Sequence, residues 1–274
     1  MAEERVLMRL RNMVRAGLVL LLCLATLLGQ RGFREYPYEE VNPAPVPPDA
    51  NEKTEWAFAR LRYPSGSRGR WRRRGSWPTD FPKADRQFVQ GVRRLTRIHT
   101  RSVEQVVDLD LDDNELFYWP WVYAVEVGHW DLTDGQCKKL REYLERGGFL
   151  MVDDYHGDQE WEVFMASMRR IFPDRPIVEI ENHDAIFHVL YDLDEKIQVA
   201  GTSPLSRGVT YEYGGITPHW RGIFDDRGRI MVAMCFNQDN GDAWEWADSP
   251  QYPEKMASQA YRVGINYIIY SMTH

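Results

Sequence analysis

Phe149-Leu150-Met151-Val152-Asp153-Asp154-Tyr155-His156-Gly157 reads as a buried strand that turns into a helix. Four apolar residues after Gly147-Gly148 are too few for a helix and suit a strand covered on both faces. In open α/β folds ligands collect beyond the carboxyl ends of the strands, so the Asp-Asp-Tyr-His run marks the expected functional surface.

The flanking segments alternate in the same sense. Upstream, Thr133-Asp134-Gly135-Gln136 has the form of a capping box, and Cys137, Leu140 and Leu144 give the helix after it a buried stripe that ends at Gly147. Downstream, Asp158 is placed to cap a helix carrying Trp161, Phe164, Met165, Met168, Ile171 and Phe172, which Pro173 stops. Earlier in the chain, residues 56–63 read as a first strand, 81–99 as a helix capped by Asp80, and 103–109 as a second strand. The aromatic and β-branched run 116–127 reads as a central strand that contains Pro120 or begins at it. Residues 229–236 form a later strand, and Met256, Ala260, Val263, Tyr267 and Tyr270 line a closing helix. This order predicts a three-layer α/β fold, a mostly parallel sheet with helices on both faces.

The chain has 274 residues, 43% apolar and 13% aromatic, enough for one substantial core. Arg5, Arg9, Arg11 and Arg15 precede an uncharged run from Ala16 to Gly29, so residues 1–30 read as a signal peptide or a short N-terminal membrane anchor. The basic flank predicts an extracytoplasmic location, periplasmic or cell-surface, for the remainder. Pro37, Pro43, Pro45, Pro47 and Pro48 make residues 31–53 a tether, and the domain occupies 54–274. A net charge of −7 excludes the basic profile of a nucleic-acid binder. Beyond Cys23 in the leader, Cys137 and Cys235 do not make a metal-binding or disulfide framework, though one bridge between them stays open. No glycine-rich phosphate loop or serine elbow is present, and no cofactor is implied.

Five runs taken together, Phe58-Ala59-Arg60-Leu61-Arg62-Tyr63-Pro64, Glu126-Val127-Gly128-His129-Trp130, Gly147-Gly148-Phe149-Leu150-Met151-Val152-Asp153-Asp154, Ile171-Phe172-Pro173 and Arg262-Val263-Gly264-Ile265-Asn266-Tyr267, resemble a bacterial domain-of-unknown-function family numbered 4159. That family is grouped with the class I glutamine-amidotransferase-like, flavodoxin-like fold, and the resemblance covers about residues 54–274. It implies a fold and no established activity. In amidotransferases this fold carries a nucleophilic cysteine on a Gly-x-Cys-x-Gly turn. The matching turn here is Asp153-Asp154-Tyr155-His156-Gly157, with Tyr155 in the nucleophile slot. A phenol with an ordinary pKa near 10 is a poor substitute for a thiolate, so glutamine hydrolysis is not expected.

Asp153, Asp154 and His156, with His129 from the preceding strand end, form the sharpest candidate site, suited to acid–base work or a divalent metal. Capping of the next helix is the structural alternative for either aspartate. His183, Asp184 and His188 are a weaker metal candidate, because five residues between histidines do not place both on one helical face. Arg68, Arg70, Arg72, Arg73 and Arg74 surround Trp71 in a loop that would hold an anionic ligand or surface. Trp244, like Tyr155, is a candidate ligand contact. The leading expectation is a non-catalytic binding module for an envelope protein or an anionic ligand. The alternative is a metal-assisted or acid–base hydrolase using the turn from Asp153 to His156.

Overall fold

The computed structural model describes residues 46–65, 76–109 and 112–274, all within one compact unit spanning Pro37–His274. Seven strands form one sheet: β1 (Ala59–Arg62), β2 (Gln105–Asp108), β3 (Trp121–Val125), β4 (Phe149–Asp153), β5 (Val178–Glu179), β6 (His219–Phe224) and β7 (Ile230–Phe236). They lie in the order β2-β1-β3-β4-β7-β6-β5. Neighbours from β2 through β7 run parallel, while β6 and β5 continue the sheet antiparallel. The expected α/β class therefore holds for a largely parallel sheet. From β1 the chain moves outward to β2 and then returns to place β3 on the other side of β1. The order reverses there, and a crevice opens beyond the carboxyl ends of the strands at such a reversal.

Helices α1 (Lys83–Leu95), α2 (Asp134–Glu145), α3 (Gly157–Ile171), α4 (Thr202–Ser206), α5 (Asn240–Glu245) and α6 (Glu254–Thr273) complete the layers. Alternation along the strands decides which side chain meets which helix. Leu61, Val122, Leu150, Val152 and Val232 pack with Leu140 and Leu144 of α2 and Phe164 and Met168 of α3. On the other face Phe58 and Tyr123 meet Trp244 of α5, which lies 4.2 Å from Phe88 of α1 between ring centroids. Each such large apolar side chain contributes about 1.5–3 kcal/mol by leaving water.

Several boundaries differ from the sequence reading for local reasons. The capping box forms: Gln136 N–H donates to Thr133 Oγ1, and Thr133 N–H donates to Gln136 Oε1 at 3.0 Å. In the run 116–127 the strand starts only after Pro120, which has no N–H for the ladder but accepts from Phe149 N–H at 2.8 Å; Glu115–Tyr118 is a 3₁₀ turn. Asp80 does not cap α1, whose cap position is Pro82 with no side-chain bond. Asp158 does not cap α3 either, because the helix starts two residues earlier, at Gly157, with His156 at the cap position. Near His188, Leu190 is exposed, whereas Phe187 is buried. Cys137 on α2 and Cys235 on β7 are buried free thiols. The leader, the linker up to residue 45, and Arg68, Arg70, Trp71, Arg72, Arg73 and Arg74 lie outside the described residues.

Candidate functional site at the strand ends

Three parallel neighbours end in the same way. The residue after β3 is Glu126, after β4 Asp154 and after β7 Asn237, and all three are left-handed, with φ of 54°, 52° and 61°. None is glycine, so each turn stores about 1–2 kcal/mol of strain that surrounding bonds must hold. Backbone bonds do so in series: Glu126 N–H donates to Asp153 O, Asp154 N–H to Gln238 O and Asn237 N–H to Tyr155 O, each at 3.0 Å. Asn237 Oδ1 also accepts from Gly157 N–H at 2.9 Å. Gly157 has φ +67°, and a Cβ there would stand 2.2 Å from the Tyr213 carbonyl oxygen, so glycine is required.

Asp153 and Asp154 diverge from this frame. The Asp153 side chain is fully buried on the face covered by α5, and it accepts from Tyr123 OH at 3.0 Å, Asn240 N–H at 2.8 Å, Asn240 Nδ2 at 2.7 Å and Gly241 N–H at 3.0 Å. It anchors the start of α5 to the end of β4. Burial pushes its carboxyl up to about 6, with these hydrogen bonds pulling the other way. Asp154, also buried, has one side-chain hydrogen-bond partner among the described residues, His156, whose Nε2 lies 3.0 Å from its Oδ1. Burial also drives the His156 imidazole down to about 4, so it stays neutral and offers Asp154 no full positive charge.

The surroundings of Asp154 are acidic. Asp80, Asp154 and Asp239 each bring one carboxylate oxygen within 4.8 Å of the others, and Asp80 is shared with a second trio formed with Asp242 and Glu245. Burial holds Asp80, Asp154 and Asp239 well above the usual carboxylate range, and the neighbouring carboxylates add to that rise. Asp80 Oδ2 is buried with no hydrogen-bond partner. Among the described residues, no lysine or arginine forms an ion pair with these three. Arg60 lies nearby but is committed to Asp85 through Nε at 2.8 Å, and its Nη1 donates to Trp77 O and Thr79 O at 3.0 Å. Those carbonyl bonds set the turn that presents Asp80, itself left-handed at φ 61°.

A second group lies at the end of β3. His129 closes the 3₁₀ turn Val127–His129, with Nδ1 2.7 Å from Glu126 Oε2 and Nε2 3.7 Å from Glu160 Oε1. The Nδ1 contact is close but off the line of a hydrogen bond. The adjacent Glu126 carboxylate raises the imidazole's pKa. Glu160 is pushed up to about 7 by burial, while its Oε2 accepts from His156 N–H at 2.6 Å.

The structure thus brings Asp153, Asp154, His156 and His129 to one end of the sheet, but not into one constellation. Asp153 is corrected to a structural anchor. Tyr155 is fully buried, with its ring 4.9 Å from Phe164 and 5.1 Å from Phe236, and is no ligand contact. Trp244 is fully buried as well, because α5 turns it into the core. His183, Asp184 and His188 do not converge on a common point: Asp184 caps a 3₁₀ turn through Ile186 N–H, and His188 uses both ring nitrogens on Asp192 and Asn182 O. Sequence reading missed Asp80, Glu126, Glu160 and Asp239 as site residues. The available signal was position, since Glu126 and the polar run Asn237-Gln238-Asp239-Asn240 directly follow strands, as Asp154 does.

A largely parallel α/β domain with an acidic cluster beyond its strand ends is the class that fold and site define. The chain belongs to the family described as Domain of unknown function (DUF4159), whose model matches residues 57–272. Comparison with curated proteins gave no match.

Proposed function

We propose that this domain is a cation-binding module, and that its ligand enters the crevice beyond β1, β3, β4 and β7. The carrying observation is the convergence of Asp80, Asp154 and Asp239, with a buried Asp80 oxygen left without a partner and no lysine or arginine paired to the cluster among the described residues. Buried carboxylates in that state either hold protons or hold a positive charge. Oxygen-only donors suit hard ions such as magnesium, calcium or manganese.

A hydrolase built on Asp153, Asp154, His156 and His129 together is less well supported, since every Asp153 oxygen is engaged and His156 is only 4% exposed. The reversal of strand order and the turn after β4 support kinship with the amidotransferase-like fold, but Tyr155 cannot serve as its nucleophile from inside the core. Affinity for an anionic partner is assigned to Arg68–Arg74 rather than to this crevice, whose charge would repel it. The basic and apolar leader supports an extracytoplasmic domain, which protease accessibility behind a permeabilised outer layer tests.

Thermal melts of the full chain near pH 8 with chelator, magnesium, calcium, manganese or spermidine test the main reading. Saturation at about 100 times Kd is expected to raise Tm by roughly 5–10 °C. The rise given by magnesium or calcium should disappear in Asp154→Asn and Asp239→Asn. Failure of every cation to move Tm overturns the proposal.

A further inference from the structure

We infer that Glu126, His129 and Glu160 form a second, chemically distinct position, one that takes a divalent transition ion of the manganese or zinc class. It lies at the end of β3 and needs no contribution from Asp80, Asp154 or Asp239.

Local backbone builds this position. Glu126 turns the chain out of β3 in the left-handed region, and the turn Val127–His129 then doubles back under the first turn of α3. Gly128 permits the approach: a Cβ there would stand 2.4 Å from Glu160 Cβ. The consequence is that a side chain from α3 and one from the β3 turn meet across a gap that only glycine leaves open.

The geometry of the imidazole separates a metal site from an ordinary ion pair. Nδ1 is buried against Glu126 Oε2 at 2.7 Å, so the ring is held from that edge. Nε2 makes no hydrogen bond among the described residues and is absent from the buried polar atoms, which makes it the solvent-facing nitrogen. It stands 3.7 Å from Glu160 Oε1. A histidinium clamped between two glutamates would close that gap to about 2.7–2.9 Å. Two ligands of one ion with bonds of about 2.0–2.2 Å stand roughly 3–4 Å apart, as these do.

Glu160 is aimed as well as near. Its Oε2 accepts from His156 N–H at 2.6 Å, which leaves Oε1 to face His129. One donor atom from each of the three residues falls within 4.8 Å of the others. The side chains of His129, Glu126 and Glu160 are 28%, 20% and 12% exposed, so an ion and its waters reach them from solvent. Glu126 either completes the donor set or holds Nδ1 as carboxylates commonly do behind a ligating histidine. A borderline nitrogen donor beside carboxylates favours transition ions over magnesium and calcium, which prefer oxygen alone.

The test is calorimetric titration of the full chain, wild type and variants, with zinc, manganese and magnesium. Wild type and Asp154→Asn should both bind zinc or manganese, because this position is independent of the crevice aspartates. His129→Gln should weaken that binding by about 10–100-fold or more without altering the magnesium response. Glu160→Gln supplies a second variant, and melting curves identify any variant that fails to fold. Pulsed EPR of the bound manganese should show coupling to one imidazole nitrogen, and the coupling should vanish in His129→Gln. Zinc and manganese affinities unchanged by His129→Gln, or no binding by wild type, overturn the inference. Loss of binding in Asp154→Asn with retention in His129→Gln would do so too, and would leave the crevice as the sole cation site.

Discussion

Asp153 and Asp154 sit side by side at the end of β4, and burial raises both carboxyls, yet their oxygens have opposite surroundings. Asp153 accepts from a phenol, an amide side chain and two backbone N–H groups at the start of α5. Asp154, turned into the left-handed region, faces a neutral imidazole and two further carboxylates. Burial alone therefore does not separate a structural acid from a functional one. The distinction lies in whether the protein itself satisfies the charge.

The largest expected effect tests the structural half of this contrast. Asp153→Ala should cost about 3–5 kcal/mol in urea unfolding, because the start of α5 and Tyr123 OH lose their acceptor inside the core. A loss below about 1 kcal/mol would mean that the anchor is dispensable. Asp154→Asn should move the other way and stabilise the ion-free protein near pH 8 by about 1–2 kcal/mol, since it removes one buried charge and asparagine tolerates positive φ. Destabilisation there would show that the Asp154–His156 contact holds the turn together.

The pH profile sharpens the same contrast. Carboxyls raised in the native state keep protons that the unfolded chain releases above about 4. Their stabilising effect is therefore present at low pH and lost as pH rises through the folded-state values. For Asp153 that window is about 4 to 6, and for Asp80, Asp154 and Asp239 it extends higher. Unfolding free energy without added ions should fall between pH 5 and 8, and saturating divalent ion or Asp154→Asn should flatten the slope. A slope indifferent to both would remove the crevice carboxylates as its source. The smallest effect is a control at the start of α2: Thr133→Ala should cost about 1 kcal/mol through the lost cap and leave ion responses unchanged.

The alternation of strands and helices was legible because apolar period and punctuation agree. Thr133 and Gln136 form the box their spacing announces, and Pro120 marks the start of β3. The site was legible only as a place. Asp153 and Asp154 look identical in sequence, and their difference arises from Asn240 and Gly241, which lie 87 and 88 residues further along the chain. Asp80 was read as a cap because aspartate before a helix usually is one; Arg60 holding Trp77 O and Thr79 O turns it elsewhere. Trp244 and Tyr155 looked like loop aromatics, but α5 and the packing of α3 fold them inward.

The span between Asp153 and α5 has a kinetic consequence. The anchor closes only when β7 has paired beside β4 and the intervening chain has been laid down, so the crevice belongs to the late, non-local part of assembly. Contacts that form after the folding barrier act on the rate of escape rather than on the rate of arrival. An ion held by Asp80, Asp154 and Asp239 should therefore lengthen the lifetime of the native state while leaving the refolding rate almost untouched. Stopped-flow chevrons with and without the ion would show the unfolding limb alone displaced, and equal displacement of both limbs would place the crevice in the nucleus instead.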